Sequence, residues 1–115
     1  MRGLVCNWSL VKTIDWSEYD ILTFNEVWGI KDFESLKVNE YEIKSIKLRE
    51  NSRGGGTVIF GRKNISAKAL STPFVEGTIE TTGLVVGNTH IVNIYRPPGG
   101  NKEEFVLMLA DLLDT

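Results

Sequence analysis

The feature that most constrains this fold is an apolar segment, residues 91–94, that runs into Tyr95, Arg96, Pro97 and Pro98. Proline lacks a backbone N–H and fixes φ, so two consecutive prolines end a strand and forbid a helix at that point. The strand must therefore deliver a phenol and a guanidinium to its carboxyl end. Because both groups donate hydrogen bonds and the guanidinium is cationic, the pair suits a phosphate.

A helix follows the prolines and is the best-marked element in the sequence. Asn101 suits the N-cap position, and Glu104 three residues later completes a capping box. The apolar residues that come next recur at helical spacing and form one stripe: Phe105, Met108, Leu109, Leu112 and Leu113. We expect this stripe to pack on a sheet.

A second polar strand end lies near the start of the chain. Residues 19–26 form an apolar strand that closes with Asn25 and Glu26. By the two-residue alternation of strands, Leu22 and Phe24 share one face with Glu26. Ligands in layered α/β folds usually lie outside such strand ends, so Glu26 is a candidate functional residue.

The remaining pattern is mostly strands. A short, weakly periodic helix is predicted around residues 10–14, and residues 28–40 are predicted to form a loop. Alternating residues predict strands over 41–48 and 74–80, and a hairpin turns at Gly87 and Asn88. Three glycines at 54–56 precede the strand 57–60. No helix and no Lys-Ser/Thr follow them, so we interpret them as a tight turn rather than a phosphate loop.

Composition limits the chain to one domain and excludes several classes of protein. With 115 residues, 42% of them hydrophobic, the chain can bury a modest core. Its net charge of −2 is unlike that of a nucleic-acid-binding arm, so DNA contact would need a local basic patch. The candidates for such a patch, which also suit a solvated strand face, are Lys44, Lys47, Arg49, Arg53, Arg62 and Lys63. A single cysteine favours an intracellular, reducing compartment, and no segment predicts a membrane contact.

The order of the elements and four short motifs together resemble the N-terminal half of the endonuclease/exonuclease/phosphatase family. The motifs lie at residues 1–4, 19–26, 54–59 and 93–98. Within the family the chain is most similar to the endonuclease domain that precedes the reverse transcriptase of non-LTR retrotransposons. The resemblance implies an α/β (α+β) two-sheet sandwich of the DNase I-like type, with mostly antiparallel strands and flanking helices. Residues 1–115 would form the N-terminal half of one such domain.

The resemblance also implies roles for individual residues. Glu26 matches the family's metal-binding glutamate, a ligand for Mg²⁺ or Mn²⁺. Tyr95 matches a catalytic tyrosine that contacts the phosphate, and Arg96 is expected to contact the DNA backbone. Asn25 is either a partner of Glu26 at the phosphate or only a polar group at a strand end. The implied activity is nicking of a DNA phosphodiester in the nucleus, which leaves a 3′-hydroxyl that primes reverse transcription.

The chain departs from the family pattern in its catalytic motifs. The family's Gly-Asp-x-Asn and Ser-Asp-His motifs do not occur in this sequence, and its one histidine, His90, falls inside a hairpin strand. The resemblance therefore implies a fragment that needs the C-terminal half of the domain as its partner, and we expect it to be inactive alone. Two alternatives stay open: a phosphatase of the same fold, or a non-catalytic remnant or partial copy.

Overall fold

The computed structural model describes residues 19–27 and 40–114. The helix predicted around residues 10–14, the motif at residues 1–4 and all but the last residue of the predicted loop lie outside them. The described elements, numbered in chain order, are β1 (Ile21–Asn25), β2 (Tyr41–Lys47), β3 (Thr57–Arg62), β4 (Lys68–Leu70), β5 (Phe74–Val75), β6 (Ile79–Val86), β7 (Thr89–Tyr95) and α1 (Lys102–Leu113).

The described strands form two sheets, and every pairing in them is antiparallel. In the first sheet, called sheet A, β3 lies between β1 and β2. In the second, called sheet B, β7 pairs along one edge of β6, while β4 and β5 share the other edge. The described chain is thus an α+β fold of mostly antiparallel strands with a helix after the last strand.

Most strand predictions are confirmed, and one is wrong. The strands β2 and β3 and the β6–β7 hairpin lie where the sequence predicts them. Residues 74–80, however, are not one strand. The chain reverses at Gly77, whose φ of 79° suits glycine, so that Val75 and Ile79 pair with each other. Alternation does not distinguish one strand from two short ones that keep the same phase across a turn.

An apolar cluster lies on one face of sheet A. Leu22 of β1 pairs with Phe60 of β3, and the partly buried Phe24 pairs with Val58. Tyr41 of β2 and Val27 belong to the same buried group. The rings of Phe24 and Phe60 meet edge to face with centroids 5.8 Å apart. Because strand side chains alternate, this cluster lies on the face of β3 opposite to the one that meets sheet B.

The other face of β3 meets β6 of sheet B. The hydroxyl oxygens of Thr57 and Thr82 lie 2.7 Å apart across this interface. Alternation places Glu80 and Leu84 on the same face of β6 as Thr82, and all three are fully buried. The interface between the sheets is therefore apolar toward Leu84 and increasingly polar toward Glu80.

The helix α1 begins as predicted but packs loosely. The Glu104 backbone N–H donates to Asn101 Oδ1 at 3.0 Å, which confirms the N-cap. The predicted stripe packs only in part, because no residue of α1 is fully buried and Leu113, the last residue of the stripe, is 72% exposed. Within the described residues, no helix is long and apolar enough to cross a membrane.

Candidate functional site

Glu26 and Tyr95 lie at adjoining ends of the two sheets and are in direct contact. Tyr95 is the last residue of β7, and Glu26 directly follows β1. The Tyr95 hydroxyl donates a short hydrogen bond to Glu26 Oε1, and both residues are half-buried. The structure thus brings these two strand-end residues, each singled out from the sequence, together at one end of the sandwich.

The backbone of Glu26 explains how its side chain reaches Tyr95. Regular alternation predicts that Glu26 shares the face of Leu22 and Phe24, which points away from sheet B, and this prediction is wrong. Glu26 has a φ of 62°, in the left-handed region that a residue with a Cβ seldom adopts. Its N–H donates to the carbonyl of Gly56 at 2.9 Å. This left-handed conformation ends β1 and lets the Glu26 carboxylate meet the Tyr95 phenol on sheet B.

A second polar pair lies beside the first. Asn25 Oδ1 accepts a hydrogen bond from Asn93 Nδ2 at 2.9 Å, again from β1 to β7. Asn93 is two residues before Tyr95 and therefore on the same face of β7. The structure thus places Asn25 next to the predicted site, although its role at a phosphate stays a prediction. Asn93 was not singled out from the sequence. The signal that could have found it is its position two residues before Tyr95, which places both side chains on one face of the strand.

A buried carboxylate, Glu80, lies behind the half-buried pair of Glu26 and Tyr95. It is directly opposite Tyr95 in the β6–β7 pairing and is 0% exposed. Its Oε2 accepts from Nε and Nη2 of Arg49, each at 2.6 Å, and from the Gly77 N–H at 2.9 Å. Its Oε1 accepts from the Gly56 N–H at 2.8 Å. The sequence did not single out this ion pair, because an alternating pattern is the same whether its charges are solvated or buried.

The surroundings of Tyr95 keep its phenol protonated. Burial raises the pKa of Tyr95 to about 12, and the hydrogen bond and negative charge of Glu26 act in the same direction. The charge of Glu80 also raises this pKa, whereas Arg49 lowers it. At neutral pH the phenol is therefore a hydrogen-bond donor rather than a base.

Arg96 does not join the Glu26–Tyr95 pair. It is exposed, and its guanidinium carbon lies 5.9 Å from the centre of the Phe105 ring, within range of a cation–π contact. The structure thus places this predicted DNA-binding residue against the first turns of α1. Its contact with DNA stays a prediction.

Most cations of the possible DNA-facing patch have partners within the chain. Lys47 Nζ donates to the carbonyl of Thr72 at 2.9 Å, and Arg62 Nε pairs with Asp20 Oδ1 at 3.1 Å. The patch residues that hold such internal contacts are Lys44, Lys47, Arg49 and Arg62. These contacts favour a structural interpretation of the basic residues on β2 and β3.

The donor set bears on the Mg²⁺ that the family resemblance implies. Within residues 19–27 and 40–114, no three His, Cys, Asp or Glu side chains converge in a way that could hold a metal. Glu26 presents a half-buried carboxylate, while Glu80 is fully buried against Arg49. Mg²⁺ usually keeps several waters and binds through one or two carboxylates plus substrate phosphates. One carboxylate fits such an ion, although it does not form a closed metal cage.

Two pairs, Glu26 with Tyr95 and Asn25 with Asn93, make up what we call the polar row. The row runs along the boundary between β1 and β7, and the predicted site residues other than Arg96 belong to it. The chain matches no protein-family model, no curated protein and no solved structure. The functional interpretation of the polar row therefore depends on its geometry, its chemistry and the sequence motifs.

Proposed function

We propose that the polar row is part of the substrate site of a Mg²⁺-dependent DNA endonuclease similar to those of non-LTR retrotransposons. One observation carries the proposal: the phenol of Tyr95 meets the carboxylate of Glu26 across two sheets, although the residues are 69 positions apart in the chain. The sequence motifs single out the same two residues, one as a metal ligand and the other as a phosphate contact.

The DNase I-like type of sandwich is part of the same proposal. Two antiparallel sheets that meet face to face through β3 and β6 agree with that architecture. The polar row lies at the end of the interface where the buried residues become polar. A site at strand ends leaves room for a ligand outside the sandwich.

Each residue of the proposed site has a distinct chemical task. Glu26 would hold Mg²⁺, and the ion supplies positive charge that polarises a phosphodiester and stabilises the charge developing on its leaving oxygen. The neutral phenol of Tyr95 would donate a hydrogen bond to a phosphate oxygen. Arg96 would contact the DNA backbone through its guanidinium, and Asn25 would orient the groups beside Glu26.

Hydrolysis needs more than these groups. An activated water and additional stabilisation of charge are required together, and no cluster of three acidic, histidine or cysteine side chains forms in the described part of the chain. We therefore propose that the chain alone binds a divalent cation and a phosphodiester but does not cleave it.

Binding of a short fluorescein-labelled DNA duplex, followed by fluorescence anisotropy with and without Mg²⁺, tests the proposal. We expect Mg²⁺ to strengthen binding to the wild-type chain and to have no such effect on Glu26→Gln. Glu40→Gln is the matched control, because Glu40 is an exposed glutamate that also adopts a left-handed backbone, with φ 69°. It should retain the wild-type dependence on Mg²⁺.

Two results would contradict the proposal. Equal dependence on Mg²⁺ in Glu26→Gln and the wild type would remove Glu26 from the site. Incubation with supercoiled plasmid and Mg²⁺ should give no nicked product. Nicking that disappears in Glu26→Ala would show that the chain holds more of the hydrolytic machinery than we propose.

A further inference from the structure

The buried Glu80 is linked to Glu26 through the backbone of a single residue, Gly56. Glu80 Oε1 accepts the N–H of Gly56 at 2.8 Å, and the carbonyl of Gly56 accepts the N–H of Glu26 at 2.9 Å. The second of these bonds holds Glu26 at the residue where its backbone is left-handed. Glu80 itself is fixed by Arg49 and by the Gly77 N–H.

We infer that Glu80 is a positioning residue, which holds the Gly56 backbone so that Glu26 keeps its left-handed conformation and its carboxylate faces Tyr95. A residue with a Cβ keeps a left-handed backbone only where several surrounding contacts hold it there. Gly56, which is hydrogen-bonded through both its N–H and its carbonyl, provides such contacts. The functional importance of this link rests on the proposed role of Glu26, whereas the link itself does not.

The Gly56 conformation shows why a glycine forms the link. Its φ is 88°, and a Cβ built on it would lie 3.0 Å from side-chain atoms of Leu48 and Val27. Gly55, the residue before, approaches Glu80 still more closely, because its Cβ would lie 2.1 Å from Glu80 Oε1. The glycine turn therefore fits closely around the buried carboxylate.

The substitution Glu80→Gln breaks this link selectively. Three N–H groups, two from Arg49 and one from Gly77, point at Oε2, whereas among the residues that the structure describes only the Gly56 N–H points at Oε1. A glutamine has one oxygen and one NH₂ group, and the NH₂ cannot accept a hydrogen bond. We expect the oxygen to stay with the three donors, so that the NH₂ group faces the Gly56 N–H.

Residue-resolved hydrogen exchange of the full chain, followed by NMR, tests the inference. In Glu80→Gln the exchange of the Glu26 amide should accelerate about tenfold more than the exchange of the slow amides in the β6–β7 hairpin. Tenfold is the factor expected for the loss of one hydrogen bond. Glu76→Gln is the matched control, because Glu76 Oε1 accepts the Asn51 N–H at 2.9 Å but has no bond to Gly56. It should change the Glu26 amide no more than the hairpin amides.

Mn²⁺ affinity, measured by titration of the same variants, separates the link from the proposed function. We expect a weaker affinity in Glu80→Gln and an unchanged one in Glu76→Gln. If the wild-type chain binds no Mn²⁺ but the Glu26 amide still accelerates selectively, the link stands and the proposed function fails. If the Glu26 amide accelerates only as much as the hairpin amides, Glu80 merely stabilises the fold and the inference is overturned.

If Glu80→Gln does not fold, hydrogen exchange of the wild-type chain still tests the inference. The amides of Gly56 and Glu26 should exchange through the same opening event, with protection that falls in parallel as denaturant is added. Protection that differs more than about tenfold between the two amides, or that falls with different slopes, would overturn the inference.

Discussion

Two glutamates at the same end of the sandwich have very different surroundings. Glu80 is fully buried, and both of its oxygens accept hydrogen bonds, from Arg49 and from the backbone of Gly56 and Gly77. Glu26 is half-buried and bonds to the phenol of Tyr95. A buried carboxylate that is paired on both oxygens holds the fold together, whereas a half-exposed one beside a neutral donor can exchange its partner for a ligand.

The comparison also shows how the two roles depend on each other. Glu80 and Tyr95 are cross-strand partners, and the Gly56 backbone connects Glu80 to Glu26. The half-buried pair of Glu26 and Tyr95 is therefore supported from behind by the buried pair of Glu80 and Arg49. Substitutions should distinguish the two carboxylates, because loss of Glu80 should lower the stability of the fold and loss of Glu26 should weaken the binding of a ligand.

The largest expected effect is that of Glu80→Ala. It leaves the guanidinium of Arg49 without its carboxylate and removes the acceptor of four N–H groups, two from Arg49 and one each from Gly56 and Gly77. We therefore expect a loss of about 3–5 kcal/mol in the free energy of unfolding. Urea denaturation measures this loss. A loss below about 1 kcal/mol would show that the buried pair contributes little to the fold.

A smaller loss is expected when the turn beside Glu80 is filled. The methyl group of Gly55→Ala would lie 2.1 Å from Glu80 Oε1 and 2.3 Å from Arg49 Nε, at a residue with φ 63°. We expect a loss of about 2–3 kcal/mol from crowding and backbone strain. Gly87→Ala is the control, since its φ is 58° but nothing lies within 4 Å, and it should cost only about 1 kcal/mol. Equal losses in urea denaturation would exclude close packing around Glu80.

The next expected effect is a fall in the free energy of unfolding at alkaline pH. The pKa of Tyr95 is raised to about 12 in the folded chain, while an unfolded tyrosine has a pKa of about 10. The unfolded chain therefore loses this proton first. The stability that the raised pKa contributes is complete below about pH 10 and is lost as the pH rises through about 12.

Tyr95→Phe should flatten this alkaline fall in stability, and Glu26→Gln should lower the pKa of Tyr95 because it removes a negative charge from beside the phenol. Denaturation at a series of pH values measures the first effect, and the tyrosinate absorbance measures the second. An unchanged alkaline fall in Tyr95→Phe would mean that other groups cause it.

The smallest expected change in stability is that of Glu26→Gly. Glycine adopts a φ of 62° without the Cβ penalty, and this gain offsets the lost contact with Tyr95 and the greater freedom of the unfolded chain. We expect the free energy of unfolding to change by no more than about 1 kcal/mol. Glu40→Gly, at φ 69°, should behave alike in urea denaturation. A much larger loss at Glu26 would assign it a structural role like that of Glu80.

Local signals in the sequence predicted most elements. The hairpin around Gly87 and Asn88 follows from two alternating segments that flank two turn residues. The start of α1 follows from the side chain of Asn101, which bonds within its own helix. The choice of Glu26 and of Tyr95 as candidate residues also follows, because each marks the point where an apolar strand stops. These features involve neighbours in the chain, and so a single sequence contains them.

The features that the sequence did not show depend on partners far apart in the chain or on the sign of a backbone φ angle. The ion pair of Arg49 and Glu80 joins residues 31 positions apart, and neither residue type nor spacing indicates that the carboxylate is buried. The face of Glu26 was predicted wrongly, because alternation assumes extended backbone and a left-handed residue breaks it. The reversal at Gly77 was missed for a related reason, since a lone glycine in a strand pattern is compatible with either a turn or a bulge.

The most direct test of the central claim is the position at which a divalent cation binds. Titration with Mn²⁺ broadens the backbone amide signals of residues near the ion in a ¹H–¹⁵N spectrum. We predict that the signals of Glu26, Val27 and Tyr95 broaden first, that Glu26→Gln abolishes this pattern and that Glu40→Gln keeps it. Broadening that begins at other carboxylates, or that survives in Glu26→Gln, would contradict the claim that this strand-end pair is a metal and phosphate site.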